Sequence, residues 1–190
     1  MALVLMLAGC SAGRGNPFVR PPQISDERWI QAMALNYVLA NHVPAEGAPT
    51  PWARCVGVAR LGVFVSPRWV LEVPRDRDLD PQGAFLRALE VPDDLPLLPL
   101  SSCRHEGDFG EVDLEQEQPV VTFFVTAPRF AATDRARLSV TVLGEGRWST
   151  RYGFEFRRRG TEWMIHRQWC FRGSTYCRHV PSDYPGRLPD

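Results

Sequence analysis

The residues whose types and spacing could do chemistry are concentrated near the carboxyl end of the chain. His166, Cys170, Cys177 and His179 place two thiols and two imidazoles within a stretch of 14 residues. Zinc accepts that set of ligands. The spacing H-x3-C-x6-C-x-H matches no standard zinc finger, however, and the first two residues fall on an expected strand. The sequence therefore favours no metal site here, and a zinc-stabilised module is kept as an alternative.

Another informative cysteine follows the apolar run at the amino terminus. Residues 2–9 are apolar and end in Leu7-Ala8-Gly9-Cys10, which resembles the lipobox of bacterial lipoproteins. That resemblance implies that residues 1–9 are a signal peptide and that the Cys10 thiol carries acyl chains such as palmitate. It also implies a bacterial cell-envelope location, periplasmic or on the outer surface, with the membrane as a partner. The alternative is an apolar terminus with a chance match to the motif.

The four other cysteines form an even set: Cys55, Cys103, Cys170 and Cys177. An even set in an oxidising compartment is typical of two disulfides, and four cysteines allow three pairings. We favour a pair between Cys170 and Cys177, which closes a short loop. The other pair, Cys55 with Cys103, would join an early strand to the segment before the main sheet.

The composition excludes several classes of enzyme. All 22 basic residues are arginine, so the chain forms no lysine Schiff base and contains neither a lysine-dependent phosphate loop nor a Ser-Lys dyad. It also contains no G-x-S-x-G, H-E-x-x-H, C-x-x-C or G-x-G-x-x-G motif. We therefore expect no cofactor and assign no catalytic residue.

Charge is distributed unevenly along the chain although the net charge is zero. Residues 76–118 carry 12 acidic residues against 3 arginines, whereas residues 119–190 carry 12 arginines against 6 acidic residues. The simpler interpretation is that two faces of one domain attract each other. The sharper one is a basic face that meets an anionic partner or a lipid headgroup. Nucleic acid is not an expected partner, because the net charge is zero and the aromatic residues alternate inward.

The elements that must position these residues begin after a linker. Residues 10–24 are rich in glycine and proline and are interpreted as a flexible linker, which leaves residues 25–190 as a single domain. Ser25, followed by two acidic residues and an apolar stripe, predicts a helix over residues 26–41. An apolar run predicts a strand over residues 54–61.

The pattern between this strand and residue 119 is irregular. Ser66-Pro67 and Asp80-Pro81 are each typical of a helix start, and the second precedes an apolar stripe that predicts a short helix. The acidic segment 107–118 is interpreted as a solvated connection.

From residue 119 onward, apolar and polar residues alternate with a period of two, which predicts about four antiparallel strands separated by glycine-containing turns. The alternation places Trp163, Ile165 and Trp169 on one face. A helix followed by such a meander predicts an α+β fold, with an amino-terminal helix packed on a curved antiparallel sheet.

The stretch from Tyr152 to Ile165 has alternating aromatic residues, an arginine-glycine turn and Trp163. It resembles the last hairpin of the nuclear transport factor two-like superfamily, and a cystatin-like fold of a helix on a sheet is similar to it as well. The resemblance implies a cone-shaped pocket between helix and sheet. The candidate pocket residues are Tyr37, Tyr152, Trp148 and Trp163.

Such pockets serve isomerases, ligand binders and scaffolds, so the fold alone does not select a function. Core packing is the simpler interpretation of both Tyr37 and Tyr152, and His166 is expected on the sheet surface opposite Trp163. The sequence therefore favours a non-catalytic domain that binds an envelope protein or a small apolar ligand. A small pocket enzyme of isomerase or hydrolase type is the alternative.

Overall fold

A computed structural model describes residues 24–48, 50–59, 79–91, 95–105, 111–113, 115, 118–144, 149–172 and 175–176. Over these residues a helix and a multi-stranded sheet form the predicted α+β arrangement. The helices are α1 (Asp26–Asn41) and α2 (Gly83–Leu86). The strands are β1 (Ala53–Val58), β2 (Leu97–Pro99), β3 (Cys103–His105), β4 (Glu111–Asp113), β5 (Pro119–Val125), β6 (Arg129–Ala132), β7 (Arg135–Leu143), β8 (Thr150–Arg159), β9 (Glu162–Arg172) and β10 (Thr175–Tyr176).

The bounds of α1 agree with the sequence prediction. Ser25 Oγ accepts a hydrogen bond from the backbone N of Arg28 at 3.3 Å, which satisfies a donor that the first helical turn leaves open. At the other end, the backbone N of His42 donates to Val38 O at 2.8 Å, and His42 itself is extended. The chain therefore turns away from the helix axis at His42. No described helix is long and apolar enough to cross a bilayer.

The sheet has more strands than the predicted four and is mixed rather than antiparallel. Its main strand order is β10-β9-β8-β7-β5-β1-β2. Antiparallel pairing joins β5, β7, β8 and β9, as predicted. In contrast, β1 runs parallel to both of its neighbours, β2 and β5. Periodicity identifies a strand but not its partner, and parallel partners are necessarily distant in sequence.

Two expectations for the middle of the chain are corrected by the structure. Asp80 does not cap α2, because its carboxylate accepts hydrogen bonds from the backbone N of Ser101 at 2.8 Å and from Ser101 Oγ at 2.7 Å. The acidic segment is not only a connection, since Glu111–Asp113 forms β4 between β3 and β5. The helix expected after Ser66-Pro67 lies outside the described residues.

The main core lies between α1 and one side of β7, β8 and β9, which we call the inner face. The inner face carries Leu138, Val140, Tyr152, Phe154, Phe156, Trp163 and Ile165, all of them buried. From the helix, Tyr37 meets Phe154 edge to face, with ring centroids 5.4 Å apart. The space between helix and sheet is thus occupied by side chains where the sequence predicted a cone-shaped pocket.

Polar groups of α1 that enter this core are tied to backbone atoms. Gln31 is fully buried, and its Nε2 donates to Ala59 O at 2.8 Å and to Thr126 O at 3.0 Å. These acceptors follow the ends of β1 and β5, so one side chain joins the helix to both parallel strands. The hydrogen bonds offset the cost of burying an amide.

The opposite side of β7, β8 and β9 is the outer face. It carries Arg135, Arg137, Arg151, Gly153, Glu155, Arg157, Arg167 and Trp169. Trp169 belongs here and not beside Trp163, which corrects the sequence prediction. Its indole lies over Gly153, where an added Cβ would come within 2.1 Å of the ring.

A β-bulge explains that correction. In the pairing of β8 with β9, Phe156 faces Ile165 whereas Glu155 faces Arg167, so His166 is an extra residue on β9. One extra residue reverses the alternation of side chains beyond it. Cys170 consequently points to the inner face and Trp169 to the outer face.

The predicted disulfide between Cys55 and Cys103 is confirmed, with Cα atoms 6.5 Å apart. It joins β1 to β3 across 48 residues of chain, and closing a loop of that length stabilises the fold by about 4 kcal/mol in the chain-entropy model. Cys170 is also disulfide-bonded. Its predicted partner, Cys177, lies outside the described residues, as does Cys10.

Candidate functional site

A small open cavity of about 90 Å³ lies at the carboxyl end of α1, against β1 and β5. Its lining residues are Leu39, His42, Pro44, Pro51, Arg54, Val121, Phe123 and Gly144. The wall is therefore mostly apolar, with one imidazole and one guanidinium as its polar side chains. A volume of this size holds part of a small organic molecule, and the opening leaves room for the rest of the molecule to extend beyond the cavity.

His42 is held at the cavity by an aromatic pair. Its Nδ1 lies 2.8 Å from Tyr152 Oη, a hydrogen bond whose direction depends on the imidazole tautomer. The imidazole also meets the Phe123 ring edge on, with centroids 6.0 Å apart. Because α1 ends one residue earlier, the helix terminus and these two aromatic side chains together fix the position of the ring.

Arg54 brings a positive charge to the same cavity. It lies in β1 between Leu97 of β2 and Val121 of β5, and it is only 8% exposed. A guanidinium is a permanent cation whose planar N–H groups match a carboxylate or a phosphate. Burial beside apolar side chains strengthens its attraction for an anion, because water screens the charge less there.

Two side chains, His42 and Arg54, supply the charged or titratable groups of the described lining. No aspartate, glutamate or cysteine is among the described residues that line the cavity. A histidine that acts as a general base is usually oriented by a carboxylate, whereas His42 is oriented by the hydroxyl of Tyr152. The cavity therefore offers a cation, an imidazole and an apolar wall to a small ligand.

Of the three sequence-predicted pocket residues that the structure describes, none lines this cavity, and only Tyr152 contacts a lining residue. Tyr37 is fully buried in the core, and its burial raises its pKa to about 12, although a hydrogen bond with Gln168 opposes the rise. Tyr152 contributes through its hydrogen bond to His42. Trp148 lies outside the described residues.

Trp163 lies at the other end of the helix. Its ring packs against Phe130, with centroids 5.9 Å apart, and lies 5.9 Å from the Arg158 guanidinium carbon. Arg158 in turn reaches Asp26 in the first turn of α1, at 3.5 Å. Trp163 is thus close to the start of α1, whereas the cavity is at its end, about 24 Å away for a helix of this length.

The ionisable groups of the outer face form a second cluster. The hydrogen bond from Arg137 lowers the pKa of Glu155, and the Arg137 Nη2 to Glu155 Oε2 distance is 2.8 Å. Burial lowers the pKa of His166, and the nearby Arg157 lowers it further. In the described part of the chain, no group of three or more His, Cys, Asp or Glu side chains could hold a metal ion. The disulfide at Cys170 occupies the sulfur that a zinc site would need.

Comparison with protein-family models, with curated proteins and with solved structures gives no match for this chain. The resemblances to the lipobox and to the nuclear transport factor two-like hairpin therefore stay predictions from sequence.

Sequence reasoning did not single out His42 or Arg54. A weak signal was present for Arg54, since it is the only charged residue within Ala53–Val58, and a lone charge in an apolar strand is usually buried for a reason. His42 follows directly after the predicted helix, and the apolar spacing that predicts a helix says nothing about the role of the residue beyond its end. The cavity arises only when β1 pairs with β5.

Proposed function

We propose that this chain is a lipid-anchored protein of the bacterial cell envelope whose α+β domain binds a small ligand without catalysing a reaction. The anchor is Cys10, and the ligand occupies the cavity at the end of α1. We expect the ligand to be a small apolar molecule with an anionic end. The apolar wall would contact its apolar part, and Arg54, the only guanidinium among the described lining residues, would bind the anionic end.

The observation that carries the ligand proposal is the buried position of Arg54 beside His42 in an otherwise apolar wall. A guanidinium in the wall of an apolar cavity gives the anionic end of a ligand a point of attachment, because its planar N–H groups match a carboxylate or a phosphate. The non-catalytic part rests on the lining, which includes no carboxylate among its described residues, and on the filled space between α1 and the inner face. The isomerase or hydrolase alternative needs an acid that this lining does not supply.

The anchor is tested by the intact mass of the protein isolated from a bacterial envelope, unreduced and with free thiols alkylated. We expect a mature chain that starts at Cys10, carries acyl mass and has no alkylated thiol. An unprocessed chain without acyl mass would contradict the anchor. Alkylation of Cys177 would contradict its pairing with Cys170.

The ligand site is tested on the chain with Cys10→Ser, which cannot be acylated. Hexanoate and the uncharged hexanol are titrated at millimolar concentrations while backbone amide signals are followed by NMR. We expect saturable shifts around His42, Arg54 and Val121 with hexanoate and much weaker binding of hexanol. Arg54→Gln should abolish the preference for hexanoate, whereas Arg87→Gln, an exposed arginine after α2, should leave it unchanged.

Equal binding of both compounds, or shifts scattered over the surface, would contradict the proposed site. Localisation of the shifts in the chain with native Arg54 decides the question even if Arg54→Gln does not fold.

A further inference from the structure

The outer face carries an excess of positive charge that the proposed ligand site does not use. Apart from Arg159 and Glu162, which pair with each other beside the turn between β8 and β9, it holds five arginines and one glutamate, a difference of four charges. Arg135 and Arg167 are exposed, and the Arg137 side chain is 66% exposed even though it pairs with Glu155. A net charge of this size on three adjacent strands attracts anions over a distance of about 10 Å at ordinary ionic strength.

The shape of the outer face suits an extended anionic layer. Side chains of β7, β8 and β9 project from a continuous antiparallel surface about 10 Å wide, measured across two strand spacings. Along β8, Arg151 and Arg157 are separated by six residues, or about 20 Å. Trp169 lies against this surface over Gly153, and tryptophan is enriched where proteins meet the headgroup layer of membranes.

The proposed anchor gives this face access to the membrane. Sixteen residues separate Cys10 from Asp26 and reach at most about 55 Å, so an acylated Cys10 keeps the whole domain, including the outer face, within reach of the membrane surface.

We propose that the outer face of β7, β8 and β9 lies against anionic phospholipid headgroups when the chain is tethered, with Arg135, Arg137 and Arg167 making the contacts. This inference rests on the proposed lipid anchor for its geometry. The charge of the face, however, is a property of the domain alone and is tested without the anchor.

The experiment measures binding of the full chain with Cys10→Ser to two kinds of vesicle. One contains phosphatidylcholine alone, and the other contains about one-third phosphatidylglycerol. We expect binding to the anionic vesicles only, with an affinity that falls as salt is added. Each basic residue near an anionic surface changes affinity about fivefold, so the double variant Arg135→Ser, Arg167→Ser should bind roughly 25-fold more weakly.

The matched control is the double variant Arg87→Ser, Arg104→Ser, which removes the same charge. Both positions are exposed and lie outside the strands that form the outer face. The control should bind within about twofold of the parent chain. Circular dichroism and urea midpoints establish that both variants are folded.

Equal losses in the two double variants would overturn the proposal, because net charge rather than this face would then carry the binding. Equal binding to both kinds of vesicle would overturn it as well, since apolar insertion would account for the result. Stronger binding to soluble polyglutamate than to anionic vesicles would identify an acidic protein as the partner and would also contradict it. Because the tested chain is not acylated, a failure of the anchor appears only in the mass measurement and not here.

Discussion

Strands β7, β8 and β9 present two faces made from the same 30 residues, yet these faces differ in almost every physical property. The inner face is apolar, buried and covered by α1. The outer face carries five arginines, and several of their side chains are exposed. Alternation along a strand sends successive side chains in opposite directions, so one sequence serves two environments.

The comparison separates the residues that hold the fold together from those available for a partner. Burial of apolar area is the dominant favourable term in folding, and here it is concentrated on the inner face. The outer face adds one ion pair and one indole resting on a glycine. Substitutions on the two faces should therefore act on different properties of the protein.

The largest expected effect is on the inner face. Phe154 is fully buried and touches Tyr37, so Phe154→Ala should lower the free energy of unfolding by about 3 to 5 kcal/mol. Arg167→Ala, on the neighbouring strand β9 and on the outer face, should change it by no more than about 0.5 kcal/mol. Urea unfolding followed by circular dichroism measures both. Similar losses in the two variants would break the division between the faces.

Gly153 is the position where the outer face has a packing requirement of its own. A Cβ at this position would collide with the Trp169 indole, so Gly153→Ala should cost about 1 to 3 kcal/mol and displace the ring. The Trp169 Nε1–H signal, assigned with Trp169→Phe, reports the displacement. Gly83→Ala is the matched control, because its Cβ would meet the nearest atom at an ordinary 3.5 Å. An unmoved indole signal in Gly153→Ala would show that the ring does not rest on this strand.

Tyr37 provides a test of a buried hydrogen bond between α1 and the inner face, the one that its hydroxyl forms with Gln168. Tyr37→Phe removes the hydroxyl that bonds Gln168 and should cost about 1 kcal/mol. Because its folded pKa is raised to about 12, Tyr37 stabilises the fold fully below its unfolded pKa near 10 and loses that contribution as the pH rises through 12. Absorbance near 295 nm should show one fewer late-ionising tyrosine in the variant than in the parent chain. If the parent chain and Tyr37→Phe showed the same number of late-ionising tyrosines, the Tyr37 hydroxyl would be exposed to solvent and the prediction would be wrong.

Substitution of Glu155 should have the smallest effect on the free energy of unfolding. Its pH dependence should be opposite in direction to that of Tyr37, because the pKa of Tyr37 is raised whereas that of Glu155 is lowered. Its pKa is lowered by Arg137, so its contribution is present above the unfolded pKa near 4 and is lost as the pH falls through the folded value. We expect Glu155→Gln to cost less than about 1 kcal/mol at neutral pH, because Arg137 is largely exposed. The difference from the parent chain should vanish in acid. A difference that persists below the folded pKa would contradict the role of this ion pair.

The sequence predicted the elements whose signals are local. Ser25 and the apolar stripe after it predict α1, and the period of two predicts β7 to β9 because each residue's face follows from its neighbours. The same rule predicted the wrong face for Trp169. The His166 bulge adds one residue that composition does not reveal, and every side chain beyond it changes face.

The candidate site could not be predicted from local sequence patterns, for a different reason. His42 comes from the end of α1, Arg54 from β1 and Phe123 from β5. They meet only because β1 pairs in parallel with β5, and nothing in either strand specifies that partner. Likewise, Asp80 resembles a helix cap in sequence but bonds Ser101, which lies 21 residues away.

The parallel position of β1 also has a consequence for the time course of synthesis. Both hydrogen-bonded neighbours of β1 come later in the chain, β2 at Leu97–Pro99 and β5 at Pro119–Val125. A ribosome that has just made Val58 has therefore made a strand without a sheet to join, and Gln31 of α1 still lacks its acceptor at Thr126. Cys55 has no partner until Cys103 has been made, and β1 lacks its second neighbour until Val125 has been made. The early part of the domain therefore cannot complete its sheet until about two thirds of the chain has been synthesised, which makes protection of this nascent part a requirement for the yield of the protein.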